Sequence, residues 1–143
     1  MRRFIFDDEL IAAEQTADII ARSCALFATE RFGLWLAHTP ADRALVGFAA
    51  FWYFRDPPEL ELLYGVADAC TGRGYGREIA RAVVAHGFDA LKMPAIRAST
   101  DATHARSRAL LEALGFRFER QAVVAGLDTV FYVATPGRPE AGR

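Results

Sequence analysis

The stretch Glu59-Leu60-Glu61-Leu62-Leu63-Tyr64-Gly65-Val66, followed a few residues later by Thr71-Gly72-Arg73-Gly74-Tyr75-Gly76-Arg77, decides how this 143-residue chain folds. Strand side chains alternate between faces, so Glu59 and Glu61 point one way while Leu60, Leu62, Tyr64 and Val66 point the other. Beyond the glycines, Arg77 to about Lys92 carries Ile79, Ala82, Val83 and Gly87 on one stripe, which predicts a helix stopped by Pro94. A glycine loop between a strand and a helix can aim successive N–H groups at one point. The helix N-terminus adds partial positive charge and unpaired amides, a setting that suits a phosphate.

Arg73, Arg77 and Arg81 strengthen that reading, because helix stability alone would favour acids at the first turn. The alternative is a tight turn with solvated arginines. Two phosphate motifs are excluded by the residues themselves. Starting GxGxxG at Gly72 puts Arg77 where the third glycine belongs, starting it at Gly74 puts Ile79 there, and no Gly-Lys-Ser/Thr follows.

Outward from this centre, Ala13, Ala17, Ile20, Cys24 and Phe27 recur at helical spacing, so Ala12 to about Phe27 is predicted to be an amphipathic helix. Phe32 to His38 and Ala44 to Phe54 read as antiparallel strands around a turn containing Pro40. Arg55 to Pro58 is a break, since Pro57 and Pro58 remove two backbone donors in succession. Downstream, Ala95 to Thr100 has a short strand pattern. Ala105 to Leu114 is helical and ends at Gly115, and Phe116 to Val124 pairs with Thr129 to Ala134 around Ala125 to Asp128. This order predicts a mixed α/β fold, one sheet with helices packed on it, in a single domain over residues 1–135 with a polar tail at 136–143.

Composition narrows the function. Seventeen basic and eighteen acidic side chains leave a formal charge of -1, so no nucleic-acid or membrane partner is expected and any anion site must be local. The longest apolar run, Val46 to Phe54, is well short of the ~20 residues of a membrane span. Cys24 and Cys70 stand apart from other metal ligands, which argues against a disulfide framework or a metal and makes a reducing, cytoplasmic setting the expectation.

From about Phe32 to Phe131 the chain resembles the GNAT superfamily of acyl-CoA N-acetyltransferases, particularly its ribosomal-protein alanine N-acetyltransferase branch. The Gln/Arg-x-x-Gly-x-Gly/Ala signature falls on Thr71, Gly74 and Gly76, with Thr71 replacing the usual Gln or Arg. The second signature, Asn-x-x-Ser followed by Leu-Gly-Phe, falls on His104, Ser107 and Leu114-Gly115-Phe116, with His104 replacing Asn.

The resemblance implies a mostly antiparallel central sheet flanked by helices, N-terminally abbreviated, because Arg2-Arg3-Phe4-Ile5-Phe6 is short for the family's first strand. It implies a V-shaped opening for acetyl-CoA as cosubstrate. The amides of Arg73, Gly74, Tyr75, Gly76 and Arg77 would grip the pyrophosphate, with Thr71, Gly72 and His104 alongside. The strand edge at Gly65 and Val66 would pair with the pantetheine amides.

The resemblance implies Glu61 as general base, with Glu59 second, and Ser107 as the partner of the leaving thiolate, because Leu111 stands where many members carry a tyrosine. Tyr64 either reaches the cleft or packs in the core, and its alternation with Leu62 and Val66 favours the core. His86 reads as a packed histidine and Cys70 as a small apolar residue. The implied reaction is direct attack of a primary amine, a protein N-terminus or a small amine, on acetyl-CoA. The rival readings are a CoA-binding module without turnover and a protein-interaction domain. An incomplete sheet edge would favour a homodimer.

Overall fold

The computed structural model of the protein describes residues 12–137. Helix α1 (Ala13–Glu30) leads to strands β1 (Leu34–His38), β2 (Leu45–Phe54) and β3 (Glu59–Val66). A short 3₁₀ turn (Asp68–Cys70) precedes α2 (Tyr75–Asp89), followed by β4 (Ile96–Asp101), α3 (Ala105–Ala113), β5 (Arg117–Val124) and β6 (Leu127–Ala134). The strands form one six-stranded sheet in the order β1-β2-β3-β4-β6-β5, antiparallel except for the parallel pair β3–β4. The mixed α/β, mostly antiparallel sheet expected from the sequence is therefore present. Arg2–Phe6, read from the sequence as short for the family's first strand, lies outside the described residues, as do residues 138–143 of the tail.

One face of the sheet carries Phe51, Leu62, Ile96, Ala98, Val130, Tyr132 and Ala134, which form the main core with Ala80 of α2 and Leu111 of α3. Helix α2 sits so close that a methyl group on Gly87 would lie 2.8 Å from the Phe51 ring and 2.9 Å from Ile96. This side chain-free approach is what brings the helix that follows the glycine loop down onto the sheet. Phe131 lies on the opposite face, where side chains among the described residues cover it. The guanidinium groups of Arg55 and Arg120 lie 4.8 and 3.7 Å from its ring centroid, which places their charge over the face of the ring.

Several local expectations change. Helix α2 starts at Tyr75 rather than Arg77, because Gly74 takes the N-cap position at φ 82°. Its buried positions are Ala80 and Gly87, whereas Ala82 is exposed. In α1 the stripe Ala13, Ala17, Ile20, Cys24 is exposed, and the inward row is Ile19, Ser23 and Leu26. Ser23 decides that register, since its hydroxyl accepts the Leu34 N–H at 2.9 Å. The last hairpin is tighter than expected: Ala125 (φ 50°) and Gly126 (φ 80°) make the turn, and Leu127 and Asp128 already belong to β6. Gly115 follows α3 at φ 89°, as its C-terminal position predicts.

Candidate functional site

Strand β3 pairs with β2 along its whole length, from Glu59 opposite Phe54 to Val66 opposite Gly47. Toward β4 it has one paired position, Glu61 with Arg97. Beyond that pair, the edge of β3 from Leu62 to Val66 has no ladder with β4. Parallel strands that separate after one pair make a V, and its open end points at the loop that follows Val66.

That loop is built by local bonds. The Ala67 N–H donates to Val46 O at 2.8 Å, the Cys70 N–H to Ala67 O at 2.8 Å, and the Thr71 hydroxyl to Asp68 O at 3.0 Å. Gly72 (φ 79°) and Gly74 (φ 82°) then turn the chain in a region that disfavours other residues, and each faces open space where a Cβ would be. The ladder of α2 begins with the Glu78 N–H donating to Gly74 O at 3.1 Å, and the N-cap glycine itself brings no capping side chain. The amides of the first turn, at Tyr75, Gly76 and Arg77, therefore precede the first intrahelical bond. Gly76 has a packing role: a Cβ there would lie 3.3 Å from Val66 Cγ2 and 3.5 Å from Leu110, so the helix start abuts both β3 and α3.

At the closed end of the V, Glu61 is only 3% exposed. Its Oε1 accepts the Ser99 hydroxyl at 2.5 Å, and its Oε2 pairs with Arg55 Nη1. Arg55 also reaches Glu59 Oε2 and the Ser99 hydroxyl, each at 3.1 Å. Burying a carboxylate without partners would be strongly unfavourable, and these donors are what allow it here. Arg55 and Ser99 were not singled out from the sequence. Arg55 stands four residues before Glu59 across the diproline break, the one local sign of such a link, whereas Ser99 arrives through the β3–β4 pairing.

Ser107 and His104 meet at the start of α3. The imidazole Nδ1 of His104 accepts the Ser107 N–H at 3.1 Å, so His104 serves as the helix N-cap in the place where the signature has Asn. Burial holds the His104 pKa below the ordinary 6.5, with Asp101 opposing and Arg106 reinforcing the shift. The Ser107 hydroxyl meets the Tyr64 phenol at 2.9 Å, linking α3 to β3. Tyr64 thus packs its body against the core, as its alternation favours, while its hydroxyl reaches across to α3. Burial pushes its pKa above the ordinary 10.0, with the Ser107 bond acting in the opposite direction.

The structure brings Gly65, Val66 and residues Thr71–Arg77 to the open end of the V and Glu61 to its closed end. Ser107 and His104 lie on the α3 side. His86 packs its ring 5.6 Å from that of Trp35, and both cysteines are free thiols. A cavity of about 480 Å³ lies at the other end of the strand pair, lined by Leu60, Leu62, Met93, Ile96, Arg97 and Phe131 among others. No loop residue from Thr71 to Arg77 lines it. Among the described residues no three His, Cys, Asp or Glu side chains are grouped to hold a metal, and no helix is long and apolar enough to cross a membrane.

Residues 1–117 match the family model for the acetyltransferase (GNAT) domain. A GnaT-family acetyltransferase from Bordetella pertussis superposes with a TM-score of 0.80 at 21% identity, covering 86% of this chain and 77% of that one. A ribosomal-protein-alanine N-acetyltransferase from Brucella melitensis gives 0.74 at 23% identity, covering 90% and 81%. A spermidine N-acetyltransferase from Vibrio cholerae gives 0.67 at 15% identity, covering 83% and 74%. At these identities the structural likenesses speak for the fold.

Proposed function

The chain belongs to the GNAT acetyltransferase family, and from that premise we propose that it transfers the acetyl group of acetyl-CoA to a primary amine by direct attack. The observation that carries this reading is the single ladder pair, Glu61–Arg97, between β3 and β4 among the described residues, with a glycine loop and a helix start whose N-cap is a glycine at the open end. A thioester carrier with a diphosphate suits that arrangement. The first-turn amides of α2 and the helix field favour the diphosphate. The unpaired edge of β3 offers N–H and C=O groups to the pantetheine amides, as an added strand would. An edge N–H would also stabilise the oxyanion that forms when the amine attacks.

Glu61 is the proposed general base, with Glu59 behind it. Among the described residues each Glu61 oxygen has one partner, and a carboxylate oxygen can accept more than one bond, so a proton can still be taken directly or through water. Ser107 is the proposed partner of the leaving thiolate. Thr71, Gly72 and His104 complete the cosubstrate side, although the Thr71 hydroxyl is engaged within its own turn.

For the acceptor we propose either a protein N-terminus or a small amine, and the alanine and spermidine enzymes among the structural relatives span that choice. The test is mass spectrometry after incubation with acetyl-CoA and a panel comprising an alanine-initiated peptide, spermidine and simple amines. An acetylated amine supports transfer. Binding of acetyl-CoA without any product supports the second reading, a CoA-binding module, which the engagement of Glu61 by Arg55 favours.

A further inference from the structure

Resting on the acetyl-transfer reading, the contact between β3 and α3 suggests how the leaving sulfur is served. The helix position from which a tyrosine would deliver a proton is taken by Leu111, which is 1% exposed in the core and has no proton to give. A phenol nevertheless enters from the opposite wall, where Tyr64 Oη lies 2.9 Å from Ser107 Oγ. We propose that Tyr64 is the positioning residue for Ser107. The phenol donates to the serine oxygen, so the serine hydrogen is left to point at the sulfur of CoA.

The direction of the bond follows from acidity, since a phenol is a far better donor than an aliphatic hydroxyl. Burial pushes the Tyr64 pKa up and keeps the phenol protonated. The serine is also fixed in place: its N–H is held by His104 Nδ1 at 3.1 Å, and Tyr64 itself packs against the core. As the carbon–sulfur bond breaks, its electron pair stays on sulfur. The Ser107 proton moves to sulfur, the Tyr64 proton moves to Ser107 Oγ, and the phenolate regains a proton from solvent, balancing the one the amine surrendered.

The test needs no acceptor. CoA itself is the probe, and the ultraviolet absorbance of its thiolate is titrated while bound to the wild type, Tyr64→Phe and Ser107→Ala, with calorimetry giving each affinity. The charged groups nearby on β4 and α3, Asp101, His104, Arg106 and Arg108, are the same in all three proteins. The wild type should lower the pKa of the bound thiol relative to free CoA. Tyr64→Phe should undo about tenfold in acid dissociation constant, the scale of one charge-assisted hydrogen bond, with affinity nearly unchanged. Ser107→Ala should undo at least as much, and keeps the test decisive should Tyr64→Phe fail to fold: thiol acidity unchanged in Ser107→Ala overturns the proposal. Equal thiol acidity in wild type and Tyr64→Phe overturns it while leaving acetyl transfer standing, as does lost affinity with acidity intact, which marks Tyr64 as packing only. Absence of CoA binding to the wild type overturns the acetyl-transfer reading and this inference with it.

Discussion

Glu61 and Arg97 are the one ladder pair between β3 and β4 among the described residues. The sheet is continuous on both sides of that seam, eight positions being paired between β2 and β3 and six between β4 and β6. The gap is therefore confined to one place, and a buried, hydrogen-bonded carboxylate stands at its apex.

The ion pair at that apex should matter to stability. Arg55 is 24% exposed at its side chain and Glu61 3%, so removing the cation strands a buried carboxylate. Arg55→Met is expected to destabilise the fold by about 2 kcal/mol, below the full cost for a wholly buried pair because solvent reaches the arginine. Chemical denaturation checks this, and an unchanged midpoint would show that water screens Glu61.

Glu61→Gln keeps the size of the side chain while removing the charge. With an acceptor in hand, the acidic limb of the pH–rate profile should flatten and the rate should fall by about a hundredfold or more. A profile identical to the wild type would remove Glu61 as the base.

Much of this frame could be read from residue order. The alternation in Glu59–Val66, the glycines before α2 and Gly115 after α3 are local signals, and the structure bears them out. What stayed hidden depends on partners far along the chain. Alternation placed Glu61 opposite Leu62, but its burial comes from Ser99, 38 residues on, and from an arginine turned back across the break. Tyr64 shares a face with Leu62 and Val66, and the partner of its hydroxyl, Ser107, stands 43 residues further on. In α1, spacing alone could not say which of two neighbouring rows faces inward, because a serine rather than an apolar residue sets the contact.

His104 should make stability depend on pH. Burial lowers its pKa below 6.5 in the folded protein, so on acidification the unfolded chain binds the proton first. The stabilising contribution is whole above pH 6.5 and is lost as pH falls through the lowered folded value. His104→Asn keeps a capping side chain without that titration. Its melting temperature should fall less than that of the wild type between neutral pH and about pH 5. Equal falls would contradict the assignment.

Close packing at Gly87 gives a test of the helix–sheet contact. Alanine would improve helix propensity by up to about 1 kcal/mol, yet its methyl would press on Phe51 and Ile96. Overpacking of this kind costs about 1–3 kcal/mol, so Gly87→Ala is expected to lower the melting temperature. A rise would mean that α2 can move off the sheet freely.

The most direct measurement is calorimetric titration of acetyl-CoA into the wild type, Gly74→Asn and Gly74→Asp. Both substitutions tolerate the left-handed φ of 82° at this position, so they differ chiefly in charge. The wild type should bind. Gly74→Asp should bind at least about tenfold more weakly than Gly74→Asn, because a carboxylate then faces the diphosphate. No binding by the wild type, or equal affinity in the two variants, would contradict the placement of acetyl-CoA at the start of α2.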